Sequence, residues 1–302
     1  MYLTGFADEA AADLDGQIRA TKELGWAHIE SRSIDGTNLH DLPEEAFEAA
    51  AEKLDAAGVR VNCFGSTIAN WGKQITDPFD VTAAEIDRAI PRMKRLGTKL
   101  IRIMSYAVLR DRDADDQMEH ERFRRLREIV QRFGDAGLKC VHENCSNYGG
   151  MGWRHTQKML ERVPGLLLVF DTGNPVGTRD FASKDPGRTQ SSWEFYRHVK
   201  ERVAYVHVKD CTFDAFEDGT FNKCRYTWPG EGDGDIPRIV KDLVDSGYDG
   251  GFSMEPHLGV VFHEAGSETE GEARYRMYVE YGRRFMKILG DCGVDTKALA
   301  AS

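Results

Sequence analysis

The chain has 302 residues, 41% of them hydrophobic and 30% charged, a length that suits one large α/β barrel or two average domains. Its net charge of −10 disfavours non-specific binding to nucleic acid or to an anionic membrane surface. No apolar stretch approaches the roughly 20 residues of a membrane-spanning helix, and MYLTGFADEA has no basic segment leading into an apolar one, so the expected location is the cytoplasm.

In chain order, β-branched and apolar runs predict strands over 3–9, 28–33, 60–66, 99–105, 138–144, 166–171, 203–210 and 251–257. Helical spacing lies between them. Leu14, Ile18, Thr21 and Leu24 mark the face of the first helix, and Phe47, Ala50, Leu54 and Ala57 that of the second. Pro91 falls inside the third helix and is expected to kink it. Phe123, Leu126, Val130 and Phe133 mark the fourth. Gly25, Gly58, Gly97, Gly137, Gly165 and Gly247 each follow an amphipathic run and precede a strand, where a left-handed residue ends a helix. Strict βα alternation over eight strands predicts a single-domain (β/α)8 TIM barrel over 1–290, with 291–302 as a C-terminal tail. A doubly wound sheet is the alternative, weakened by the absence of GxGxxG after the first strand.

Two loops are long, 175–190 and 211–235, and both fall on the face where barrel active sites sit. The second contains Trp228 followed by PGEGDGD and is expected to act as a partial lid. The six cysteines include no CxxC pair, which argues against a thiolate zinc site and for reduced thiols.

Four polar residues lie late in the last four strands: Glu143, Asp171, His207 and Glu255. Strand alternation gives them a common inward phase, with Val141, Val169, Tyr205 and Ser253 two residues earlier on the same face. The same phase places Lys139 inward near the barrel bottom, a mild cost. Singly, a strand-end carboxylate is more often a helix cap or an ion-pair partner, and a lone histidine is more often a core residue. Four equivalent positions on consecutive strands instead suggest one divalent cation, with three carboxylates and an imidazole favouring Mn²⁺ or Mg²⁺ over a closed zinc site, and Zn²⁺ or Co²⁺ also able to bind.

ADE near the first strand, HIESRS, HEN, FDTGN, HVKD, GEGDGDI and MEPH resemble the xylose isomerase-like barrel superfamily, and within it the sugar isomerase/epimerase branch that includes ketose 3-epimerases and inosose dehydratases and isomerases. The resemblance spans nearly the whole chain. It implies that the four strand-end residues bind one metal ion. Glu143 and Glu255 would also be catalytic, exchanging protons with a substrate carbon α to a carbonyl polarised by that ion. In 3-epimerases the DT motif continues to a histidine that touches substrate; here Asn174 stands in that place. The implied substrate is a ketose, inosose or related polyol ketone. A lyase or dehydratase outcome, including a C-glycoside deglycosidase-type subunit that eliminates from a 3-keto sugar, is the alternative.

Around the four ligands, Glu30 and Arg32 share a strand phase and are expected to bind substrate or each other, with Arg102 equally placed. Lys209 and His257 share phase with His207 and Glu255 and are expected to touch substrate or a ligand. His142 is out of phase and expected behind its strand. Phe6, Phe64, Tyr106 and Trp228 are candidates for an apolar wall, with Phe64 expected in the core. Arg179, Lys184, Arg188, Lys223 and Arg225 in the long loops are candidates for an anionic group. A DNA-repair endonuclease of the same superfamily is disfavoured by Asn62, Ser66, Arg102 and Ser105 where a histidine-rich three-metal cluster would be needed. The expected partner is a small sugar or cyclitol, with no nucleic acid and no membrane, and with a homo-oligomer or a small partner subunit left open.

Overall fold

A computed structural model of the chain describes residues 1–185, 187–216, 222–259 and 271–300. Its centre is a ring of parallel strands: β1 (Tyr2–Gly5), β2 (His28–Ser31), β3 (Arg60–Gly65), β4 (Leu100–Ile103), β5 (Lys139–Glu143), β6 (Leu167–Asp171), β7 (Val203–Val208) and β8 (Gly251–Met254). They alternate with α1 (Leu14–Glu23), α2 (Glu44–Ala57), α3 (Asp80–Leu96), α4 (Glu119–Asp135), α5 (Trp153–Arg162), α6 (Ser192–Val199), α7 (Ile236–Asp245) and α8 (Gly271–Asp291). Each strand pairs with its chain neighbour from β2 to β8, and β8 pairs with β1. A parallel bridge between Phe6 and Glu30 joins β1 to β2, so the ring is nearly closed. This is the (β/α)8 barrel that the alternation predicts. Beyond α8, residues 296–300 form a short helix whose Leu299 packs on the main core.

The helices bury one face each. In α4 the buried apolar residues are Phe123, Leu126, Ile129 and Phe133; Ile129 takes the place expected of Val130, which is half-buried. Burying one such side chain is worth about 1.5–3 kcal/mol. α3 runs from Asp80 to Leu96 with Pro91 inside it. All six glycines at the helix-to-strand transitions have φ between 66° and 85°. Inside the ring, Cys63, Val141, Val169 and Tyr205 form a separate small cluster, which fixes the strand phase as expected. Lys139 is exposed at the other end of β5, so its inward phase leads to solvent rather than into the core.

The loop after β7, expected to act as a partial lid, lines the cavity at the barrel mouth with Cys211, Cys224 and Tyr226. It begins with a hairpin, Cys211–Phe216 paired with Asn222–Tyr226, and then folds around Asp210. The buried Asp210 carboxylate accepts hydrogen bonds from the amides of Cys211, Gly230, Gly232 and Gly234 at 2.7–3.0 Å. A side chain at position 232 would place its Cβ 2.5 Å from Asp210 Oδ1, so the glycine is required by close approach. Trp228 is drawn away from the barrel mouth onto α8, with its ring centroid 6.4 Å from that of Tyr281 and the Arg284 guanidinium 4.2 Å from its centroid. Trp228, expected to meet substrate, thus has α8 residues as its ring partners.

The loop after β4 is held by a buried arginine. Arg122 donates to the carbonyls of Gln117 at 3.0 Å and Ala107 at 3.2 Å, and to that of Ser105. Arg122→Met should strand these carbonyls and cost about 3 kcal/mol of stability, seen as a lower urea midpoint with little change in slope.

Candidate metal centre

β5 to β8 are consecutive around the ring, and each delivers one side chain to the same point. Single ligand atoms from Glu143, Asp171, His207 and Glu255, all four residues buried, lie within 4.8 Å of one another. His207 Nδ1 is 3.8 Å from Glu143 Oε1, 4.0 Å from Asp171 Oδ2 and 3.5 Å from Glu255 Oε2. Among the described residues, no protein hydrogen bond satisfies this buried nitrogen. Buried polar atoms are normally paired. An imidazole nitrogen turned without a hydrogen-bond partner toward three carboxylates therefore fits a cation bound between them, and the oxygen-rich donor set suits a hard divalent ion.

The other face of the imidazole is fixed. His207 Nε2 lies 3.0 Å from Glu30 Oε2. Tyr205 and Ser253 donate their hydroxyls to the same oxygen at 2.9 and 2.6 Å. Asn62 donates to the Tyr205 hydroxyl at 2.9 Å, and Thr4 donates to Asn62 at 2.7 Å. A polar ladder thus runs across the barrel interior beneath the centre. With Nε2 directed to Glu30, the imidazole turns Nδ1 toward the three carboxylates.

Each carboxylate ligand is also held from outside. Glu143 accepts from Arg102 Nη1 at 2.6 Å and from Asn174 Nδ2 at 3.1 Å. Asp171 accepts from the amides of Gly173 at 2.9 Å and Asn174 at 2.6 Å. Glu255 accepts from Arg32 at 3.2 Å and from Lys209 Nζ at 3.0 Å, and the same ammonium is 2.9 Å from Asp171 Oδ2. The electrostatics follow from this crowding. Burial alone would raise every carboxylate. Arg102 nevertheless holds Glu143 well below its usual range, and Lys209 does the same for Glu255. Burial pushes Asp171 up to about 7, against the pull of Lys209 and helped by the charges of Glu255 and Glu143. Burial would lower His207, but Glu30 and Glu143 overcome it and raise the imidazole to about 10.

The other expected residues divide clearly. Glu30, expected to meet substrate or Arg32, is fully buried behind His207 and bonded to the imidazole. Arg32 lies beyond the end of β2 and pairs with Asp8, Glu9 and Glu255 instead. Arg102 and Asn174 meet the Glu143 carboxylate. His257 has its Nδ1 3.1 Å and its Nε2 3.6 Å from carboxylate oxygens of Glu9 and Glu255 respectively. Its φ of 53° is stabilised by a 2.7 Å bond from its amide to Glu9. A cavity of about 80 Å³ adjoins the centre, and Asn174, Lys209, Tyr226 and His257 are among its walls.

Phe6 lies edge-on to His207 at 5.0 Å and under the Arg32 guanidinium at 4.3 Å, whereas Phe64 and Tyr106 belong to the core. His142 is buried behind β5 and bonded to Ser105, and burial lowers it to about 3. Of the loop residues considered for an anionic group, Arg188 pairs with Asp180 at 3.5 Å and lines a separate cavity on the rim, and the Lys223 side chain lies outside the described residues.

Strand alternation did not reveal Asp8 and Glu9, which sit in a short helical turn after β1. Tyr205 and Ser253 were visible only as residues in phase with His207 and Glu255. Two further acid and histidine groups lie close together, Glu9 with Glu255 and His257, and His40 with Asp41 and Glu85. Arg32 already occupies the first and Lys73 and Arg88 the second.

With this geometry in hand, the chain was compared with known proteins. The family model described as "Xylose isomerase-like TIM barrel" matches residues 18–279. A protein named inosose dehydratase from Lacticaseibacillus casei (strain BL23) is 22% identical over 286 residues, covering 79% of this chain and 89% of that protein. A xylose isomerase-like TIM barrel protein from Mycobacterium smegmatis, solved in complex with magnesium, superposes with a TM-score of 0.68 at 16% identity over 96% of this chain and 97% of that one. A D-tagatose 3-epimerase-like protein superposes with a TM-score of 0.66 at 15% identity over 97% of this chain and all of that one. At these identities the superpositions establish the fold alone.

Glu30→Gln should leave the four ligands in place but loosen the imidazole. The expected result is a 10- to 100-fold loss of Mn²⁺ affinity in a competition titration with a chelating dye, with little change in the unfolding midpoint of the metal-stripped protein.

Proposed function

The chain belongs to the xylose isomerase-like TIM barrel family, and from that premise we propose that it is a divalent-metal-dependent isomerase or epimerase of a ketose, inosose or related polyol ketone. The observation that carries this reading is the buried His207 Nδ1, without a hydrogen-bond partner among the described residues and facing Glu143, Asp171 and Glu255. Mn²⁺ or Mg²⁺ suits the donors best, and Co²⁺ or Zn²⁺ would also be accepted. A cation held there would polarise a substrate carbonyl and its neighbouring hydroxyl, stabilising charge that develops when the α-proton leaves.

The protein groups divide the remaining work by position. β5 and β8 stand at the two ends of the four-strand arc, so Glu143 and Glu255 reach the centre from opposite sides, with Asp171 and His207 between them. One carboxylate can take a proton from carbon and the other return one on the opposite face, which inverts the centre. Arg102 and Asn174 orient the Glu143 carboxylate, and Arg32 and Lys209 orient that of Glu255. Each base therefore has a defined direction and its anionic form favoured.

One observation favours a second reading, dehydration or β-elimination. Lys209 Nζ and His257 border the cavity beside Glu255 and could donate to a departing hydroxyl or alkoxide. The relative named inosose dehydratase is consistent with that outcome. The net charge of −10 and the acidic centre support a small neutral polyol rather than nucleic acid as substrate. Among the described residues, no helix is long and apolar enough to cross a membrane.

The test is a screen of inososes, ketoses and 3-keto glycosides with Mn²⁺ in D₂O, read by loss of the α-proton signal. Exchange should require about one divalent ion per chain, stop with EDTA and return with Mn²⁺. Glu143→Gln and Glu255→Gln should each lower the exchange rate by about 10²–10⁴ while the protein stays folded. Full exchange by EDTA-stripped protein would refute the reading.

A further inference from the structure

The β7–α7 hairpin carries a feature that the proposed reaction does not use. Its register sets Cys211 opposite Tyr226 and Phe213 opposite Cys224. Cys211 and Cys224 are therefore diagonal neighbours on one face of the ribbon. Both line the cavity beside the metal centre, together with Lys209 and His257. Cys211 is buried and Cys224 half-buried, so the pair has an inner and an outer member.

Both thiols also rest on the turn that follows β6. Cys211 Sγ lies 3.6 Å from the Gly173 carbonyl that accepts its proton. Cys224 Sγ packs so closely on Gly177 that a Cβ there would sit 2.7 Å away. The same turn carries Asn174, whose amide holds Asp171 and whose side chain holds Glu143. The pair is thus in direct contact with a segment that positions two of the four candidate ligands.

We propose that Cys211 and Cys224 form an oxidation site at the barrel mouth, joined to a disulfide by hydroperoxides. The outer thiolate, Cys224 Sγ, attacks the terminal peroxide oxygen; the O–O bond breaks, water leaves after protonation, and a sulfenic acid forms. Cys211 Sγ then attacks that sulfur, expelling a second water and closing the S–S bond. Two thiols and one hydrogen peroxide give one disulfide and two waters, with both sulfurs oxidised and the peroxide oxygens reduced. The neighbouring Cys211 thiol holds Cys224 below the usual cysteine range, which raises the fraction present as the attacking thiolate. Burial raises Cys140 and Cys145 to well above that range, so they remain protonated. Cys145 lines the same cavity and serves as the internal control.

The experiment uses the full chain, reduced and desalted, exposed to a small excess of hydrogen peroxide, then alkylated with N-ethylmaleimide and analysed by intact and peptide mass spectrometry. The expected product is lighter than the reduced chain by two hydrogens, carries a cross-linked peptide joining Cys211 to Cys224, takes up two fewer maleimides, and is restored by dithiothreitol. Cys145→Ser should give the same cross-link, and Cys224→Ser should give none. Full maleimide labelling of both cysteines after peroxide treatment of the wild-type chain would overturn the proposal. So would a cross-link to Cys145 or Cys292, or stable oxygen addition at Cys224 without a cross-link. These readouts need no metal and no substrate, so they stand apart from the isomerase reading.

Discussion

Six carboxylates converge at one end of the barrel, and their mutual repulsion is the constraint around which that end is built. Asp8, Glu9, Glu30, Glu143, Asp171 and Glu255 are each at most 4% exposed. An unpaired buried ion costs several kcal/mol, so each must find a cation or a set of hydrogen bonds. Arg32 serves Asp8, Glu9 and Glu255; Arg102 serves Glu143; Lys209 serves Asp171 and Glu255. Glu30 is met by two hydroxyls and the imidazole. Among the described residues, these three arginine and lysine side chains do not balance six carboxylates, and Glu143, Asp171 and Glu255 crowd around His207 Nδ1. A divalent ion there would bring the cluster close to neutrality. The raised imidazole and the raised Asp171 are two signs of the same imbalance.

The barrel supplies the precision that this crowding requires. Strand alternation carries the same phase from the interior cluster of Val141, Val169 and Tyr205 up to Glu143, Asp171 and His207, so hydrophobic packing below fixes side-chain direction above. Phe6 adds an apolar surface between charged groups, facing His207, Arg32 and, at 5.5 Å, Arg102. It lowers the local dielectric where the ion pairs form, which strengthens each of them. The Phe6–Glu30 bridge that joins the first and second strands therefore also seats the residue behind the imidazole.

What was legible in the sequence follows from the range of each physical cause. The eight strands, the glycine-ended helices and the inward phase of Glu143, Asp171, His207 and Glu255 depend on local periodicity, and the structure brings those four residues together. Glu30 was legible as an inward polar residue on β2, but not as the partner of His207, because that contact joins residues 177 apart in the chain. Arg32 shares its apparent phase, yet the strand ends at Ser31 and the register shifts between Ile29 and Glu30, so alternation no longer applies. The packing of Trp228 on α8 was hidden for a similar reason. Its loop is on the active face, but the path of that loop is set by four amides closing on Asp210, a long-range effect that no periodicity records.

Asp210 shows how one side chain can set the geometry of its neighbours. It follows Lys209 directly, and its carboxylate takes the amides of the glycine loop, leaving Lys209 to extend toward Asp171 and Glu255. The Thr172 hydroxyl bonds to the Lys209 carbonyl at 2.7 Å and accepts from the Lys209 amide at 3.1 Å, pinning the backbone on which the ammonium is carried. Gly173 packs on the Lys209 stem, where a Cβ would come 2.8 Å from Cγ. The HVKD and DTGN segments are therefore one mechanical unit: candidate ligands His207 and Asp171 at the strand ends, the Lys209 ammonium held between carboxylates, and backbone locks on either side. Changes in either segment should be transmitted to the other through Thr172 and Gly173, and on to Glu143 through Asn174. The geometry of the centre is in this sense a property of two adjoining loops as much as of the four residues that converge on it.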